Sequence, residues 1–102
     1  GEYTQQVQRV SLCGGAGDSL LSAAAVLSSD VYITSDLRHH PPQEFGEQAL
    51  LNDGPALIDV AHWAAEWLWL EVAAEQLRAA FPEAEVRVSE LRTDPWDFVV
   101  VQ

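Results

Sequence analysis

"ALIDVAHWAAEWLWLEVAAEQLRAA" (residues 56–80) changes its periodicity partway along. The first five residues form a short apolar run, which predicts a strand. From about Ala61 to Ala80 apolar side chains recur at helical spacing, and Pro82 marks the stop. A strand that runs straight into a long helix is one half of a repeating strand–helix unit, so the rest of the chain should show the same alternation.

It does. "VQRVSLC" (7–13) predicts a strand halted by "GGAGD" (14–18), and "SLLSAAAVLSS" (19–29) a helix with Asp18 or Ser19 as its N-cap. "VYIT" (31–34) is a β-branched and aromatic strand. "SDLRHHPP" (35–42) predicts a loop, because the two prolines oppose regular structure and push His40 towards extended backbone. "QEFGEQALLN" (43–52) predicts a short helix despite Gly46, closing at Asn52–Gly54. "AEVRVSE" (84–90) alternates as a strand does, and "DFVVVQ" (97–102) predicts a last strand or a tail. The expected fold is a layered α/β domain over residues 1–102, with a mainly parallel sheet flanked by helices. In such sheets ligands bind beyond the carboxyl ends of the strands. "GGAGD", "SDLRHH" and "DVAHWAAE" each follow a strand, so they should gather on one edge of the sheet.

Sixteen acidic residues against five Arg and no Lys give a formal charge of −11. A field of that sign repels phosphate backbones and argues against nucleic-acid binding through a basic face. Cys13 is the only cysteine, which excludes an internal disulfide framework and fits a reducing, cytoplasmic setting. No run approaches the roughly 20 apolar residues of a membrane span. The start at Gly1 and the lack of Met predict that these residues are a piece of a longer chain.

His62 and Glu66 lie one helical turn apart, and at 100° per residue Trp69, Ala73 and Leu77 fall within about 60° of His62. Glu71, Glu75 and Arg78 fall on the opposite side, so the pair is expected to point inward. Two accounts fit such a pair: a helix-capping Glu beside a hydrogen-bonded core His, or two ligands converging on a metal ion. Trp67 falls beside the solvated stripe, where it either contacts another subunit or lies on a neighbouring loop. "CGGAGDS" (13–19) is neither a dinucleotide nor a Walker fingerprint. It predicts a tight turn, with an anion cradle as the alternative. Asp36, His39 and His40 are of acid/base or ligand type, and at most one of the adjacent histidines need face the crevice. Cys13 is expected to be a small core residue.

Taken together, "CGGAGDSLL" (13–21), "VYITSDLRHH" (31–40), "LIDVAHWAAEWLWL" (57–70) and "TDPW" (93–96) resemble the carboxyl-terminal half of the NIF-three-like (YbgI-type) dinuclear-metal proteins, commonly called GTP cyclohydrolase I type 2 homologues. The resemblance covers nearly the whole chain. It implies a toroidal homohexamer with two divalent metal ions per complete subunit, His62 and Glu66 supplying this half's ligands. It further implies that a His pair and an Asp come from an amino-terminal half outside these residues, and that "DLRHH" lies beside the pocket. The implied activity is metal-dependent hydrolysis of a nucleotide-like substrate, with Asp36, His39 or His40 orienting water or substrate. The alternative is a non-catalytic metal-binding scaffold or regulatory protein-interaction module. Zn, Fe, Mn and Ni all suit such ligands.

Overall fold

Every strand among the described residues is parallel to its neighbour. A computed structural model describes all residues except Val99 and Gln102. Strands β1 (Val10–Ala16), β2 (Val31–Ser35) and β3 (Ala56–Val60) form one sheet in the order β1-β2-β3. Val10 pairs with Val31 and Val31 with Ala56, which fixes the register across all three. Parallel neighbours need crossovers, supplied by a 3-10 turn (Asp18–Leu20) with α1 (Ala24–Leu27), and then by α2 (His40–Asn52). α3 (His62–Ala80) follows β3. The expected α/β architecture with a parallel sheet is present.

Strand alternation sorts the sheet into two unlike faces. Ser11, Cys13, Tyr32, Thr34 and Leu57 share one face. Tyr32 joins Leu21, Val26 and Phe45 in the core, with Cys13, Ala23 and Leu57 packed against it. Cys13 is therefore the core-lining residue its composition predicted. The opposite face carries Val10, Leu12, Ile33 and Ile58, and Leu12 is 75% exposed.

Several local expectations need correcting. The double proline does not lie in a loop: Pro41 and Pro42 occupy the first turn of α2. Amides there have no intrahelical acceptor, so a residue without an N–H loses nothing. The expected helix over 19–29 is broken into a 3-10 turn and the single turn of α1. Ser28 and Ser29 donate their hydroxyls to the carbonyls of Ala25 and Val26, bonds that compete with helix continuation. Neither Asp18 nor Ser19 is the N-cap; Gly17 holds that place, and Asp18 faces Arg38 instead. The alternating stretch 84–90 is not a strand. Its Val86 carbonyl accepts from the Arg78 guanidinium at 3.3 and 3.2 Å rather than from a neighbouring strand. Asp97, Phe98, Val100 and Val101 are not in a strand either, and the remainder of that expected element lies outside the described residues.

The chain divides into two compact units, Gly1–His62 and Trp63–Gln102. In the second, Trp63 and Trp67 stack at 5.7 Å, and the Trp63 indole N–H donates to Thr93 Oγ1 at 3.0 Å. The Trp96 amide donates to Asp94 Oδ1 at 3.2 Å, which closes "TDPW" as an Asx turn.

In the first unit Asp30 ties the approach to β1 to the start of β2. Its Oδ2 accepts the Gln8 and Arg9 amides at 2.8 and 2.7 Å. Those two bonds, with the Arg9 charge adding to them, hold its carboxyl below the ordinary 3.8. A lowered carboxyl stabilises the fold fully above that ordinary value, and this contribution fades as pH falls towards the folded-state value. Thermal melting against pH should therefore drop more steeply below 3.8 in the wild type than in Asp30→Asn. Parallel curves would show that the two amide bonds contribute nothing in solution.

Candidate functional site

The three segments expected at one edge do meet there, as far as the first unit carries them. The turn after β1 is fastened to β2 by two side chains. Thr34 Oγ1 donates to the Gly15 carbonyl at 2.7 Å and accepts the Gly17 amide at 3.0 Å. The Tyr32 hydroxyl donates to the Gly17 carbonyl at 3.2 Å. Burial pushes the Tyr32 phenol above its ordinary value, so it stays protonated and available as the donor. Gly15 sits at φ +88° where the β1–β2 register slips, a conformation that suits glycine. With its Gly17 amide and its Gly15 and Gly17 carbonyls all engaged by β2, this segment is the tight, pinned turn that was expected.

Asp18 at the end of that turn accepts the Arg38 amide at 3.3 Å, and its carboxylate lies 3.5 Å from the Arg38 guanidinium. The Leu37 amide donates to Asp59 Oδ1 at 3.4 Å, so the loop after β2 is held on both sides. Between these contacts Asp36 adopts the left-handed conformation at φ 54°. Its Oδ2 lies 3.1 Å from Nδ1 of His62, the first residue of α3. Asp36 and His62 come from distant points of the chain and are joined because Ser35 and Val60 pair at the carboxyl ends of β2 and β3.

His39 and His40 stand apart from this pair as an edge-to-face couple 5.3 Å apart, exposed at the start of α2. Glu66 lies one turn beyond His62 on α3. Glu71 and Glu75 are exposed, as the helical assignment requires. The expectation that His62 and Glu66 point away from water is overturned: both are exposed, as are Trp69 and Leu77 on the same side. The buried residue of α3 is Ala74, roughly 120° round from His62 at 100° per residue. Contacts from Thr93 to Trp63 and from Val86 to Arg78 lie on that flank, so the chain covers a different face of the helix from the one its apolar stripe suggested.

Among the described residues no three His, Cys, Asp or Glu side chains gather closely enough to hold a metal ion. An imidazole and a carboxylate one turn apart nonetheless match two positions of a transition-metal ligand set. A cleft of about 620 Å³ in the first unit is lined by Leu21, Leu27, Phe45 and Pro55 together with Asp18, Glu44 and Asp53. None of Asp36, His39, His40 and His62 lines it. No helix among the described residues is long and apolar enough to cross a membrane.

Residues 1–95 match the family profile for Duf34/NIF3 (NGG1p interacting factor 3). The chain belongs to the Duf34/NIF3 family. It is 52% identical over 98 residues to a GTP cyclohydrolase 1 type 2 homolog of Mycobacterium leprae, covering 95% of this chain and 24% of that protein. A Mycobacterium tuberculosis protein of the same name is 50% identical over 92 residues, covering 89% of this chain and 23% of the relative. This Duf34/NIF3 chain thus spans about a quarter of the length of these curated relatives. Among solved structures it is similar to Staphylococcus aureus protein SA1388, with a TM-score of 0.76 and 28% identity over 97% of this chain and 32% of that one. A Bacillus cereus protein related to NIF3 aligns with the same TM-score at 25% identity, covering 97% of this chain and 27% of its own.

Arg38, Thr34 and Tyr32 were not singled out from the sequence as residues that shape this edge. Tyr32 and Thr34 alternate on one strand directly opposite the glycine turn, and that spacing was the available signal.

Proposed function

We propose that this chain supplies His62 and Glu66 to a dinuclear divalent-metal centre of a hydrolase that acts on a nucleotide-like substrate. The observation that carries this is an imidazole at the first residue of α3, directly after the carboxyl end of β3, with a carboxylate one turn further along the same helix. The name shared by the mycobacterial relatives, GTP cyclohydrolase 1 type 2 homolog, is what supports a nucleotide-like substrate in this reading. When bound, the metal ions provide Lewis-acid polarisation and a water acidified for attack. Glu66, with two carboxylate oxygens, is suited to bridge, and His62 to bind terminally. Asp36, His39 and His40 are then the groups of this chain available to orient water or substrate. The remaining ligands, a His pair and an Asp, would come from polypeptide outside these residues, and the assembly would be a homohexamer.

A second reading is favoured by one observation. Leu68, Trp69, Val72 and Leu77 leave an exposed apolar surface along α3, which suits a protein-interaction module whose metal is structural. Elemental analysis and turnover assays separate the two. The longest natural polypeptide that carries these residues should bind about two divalent ions per subunit. The 102 residues alone should purify nearly metal-free, because two ligands hold an ion weakly. Either His62→Ala or Glu66→Ala should abolish metal content. Stoichiometric metal in Glu66→Ala would show that the ligands are misassigned, and metal without nucleotide turnover would favour the interaction module.

A further inference from the structure

We propose that Asp36 is the positioning residue for His62: its carboxylate holds the imidazole through Nδ1, so that a metal ion is taken by Nε2. The assignment rests on the metal-binding role of His62 proposed above, and it gives Asp36 a different task from orienting water.

Four observations converge on it. The Oδ2–Nδ1 distance of 3.1 Å is that of a hydrogen bond between carboxylate and imidazole. Asp36 is fixed from both sides, since Ser35 before it is buried in β2 and Leu37 after it is held by Asp59. Its backbone stands at φ 54°, in the left-handed region that Asp tolerates better than most residues, which sets the direction of its side chain. The side chains of the pair are 60% and 55% exposed, and an exposed ion pair adds little to stability. A carboxylate held this firmly in a pair that adds little to stability points to a task other than folding.

The chemistry is specific. A carboxylate at Nδ1 stabilises the tautomer with the proton on that nitrogen and directs the lone pair to Nε2. It also fixes the ring plane and raises the basicity of the ligating nitrogen. Asp36 then acts on the metal only through His62.

The test compares Asp36→Ala, Asp36→Asn and Asp36→Gly with His62→Ala in the longest natural polypeptide that carries these residues. Zinc and manganese affinities are measured by competition with a chelating dye. Asp36→Ala should weaken binding about 10- to 100-fold. Asp36→Asn keeps an oxygen acceptor for Nδ1–H and tolerates the backbone, so it should recover most of that loss. Asp36→Gly relaxes the backbone, so its melting temperature should hold or rise while its metal affinity falls as far as in the alanine variant. Nitrogen-15 spectra of metal-free protein provide a readout independent of metal. His62 should carry its proton on Nδ1 in the wild type and shift towards Nε2–H in Asp36→Ala. Wild-type affinity in both Asp36→Ala and Asp36→Gly, with loss in His62→Ala, would overturn the role of Asp36 and leave the metal reading intact. An Nε2–H ring in the wild type would also overturn it. Full metal binding by His62→Ala would instead overturn the metal reading, and this assignment with it.

Discussion

Gly17→Ala should destabilise the first unit by about 3 kcal/mol, a large share of what a small domain possesses. A Cβ at residue 17 would lie 2.0 Å from the Tyr32 hydroxyl oxygen and 2.6 Å from Thr34 Oγ1. Neither side chain can swing aside, because Tyr32 is 1% exposed and Thr34 2%. Relief would require moving the turn and breaking the bonds that fasten it to β2. Chemical denaturation should show the loss as a lower midpoint. Tyr32→Phe removes the nearer clashing atom, so the double variant should be less destabilised than the sum of the two singles. Strict additivity would mean that Tyr32 is not what makes glycine necessary there.

Phe45→Ala is expected to cost about 3–5 kcal/mol, the range for removing a buried aromatic ring. Phe45 is the residue by which α2 enters the core with Leu21, Val26 and Tyr32. It also lines the cleft beside α2, so the vacated volume would open to water rather than persist as a sealed void. That places the loss towards the lower end of the range. Phe45→Leu should recover most of it, whereas a loss below about 1 kcal/mol for Phe45→Ala would mean that α2 is held mainly elsewhere.

What could be read from the sequence was whatever composition alone decides. "VYIT" is too apolar and β-branched to be anything but buried strand, "ALIDV" reads as strand although Ile58 and Asp59 are exposed, and "AHWAAEWLWL" is too long and periodic to be anything but helix. The misses are features settled by partners. Pro41 and Pro42 forbid a helix interior but not a first turn, and only the position of His39 decides between them. "AEVRVSE" has the alternation of a strand, but alternation supplies no ladder; the Val86 carbonyl is taken by Arg78. The wheel of α3 correctly grouped His62 with Glu66 and opposed them to Glu71, yet a wheel does not say which stripe the chain itself covers. At the candidate site the residue types were legible, while the bond between Asp36 and His62 depends on the pairing of Ser35 with Val60.

The middle place of β2 also sets a clock. Its amides and carbonyls face a neighbour on both sides, whereas β1 and β3 each keep one edge that pairs with neither of the other two. Deuterium should therefore enter last at Tyr32, Ile33 and Thr34, which exchange only when the whole first unit opens. The amides of β1 beyond Leu12, where the register slips, should label much sooner. The loop that carries Asp36 grows directly from the slowest-opening strand. Fluctuations that fray the rim of the sheet should thus pass without displacing the carboxylate that faces His62.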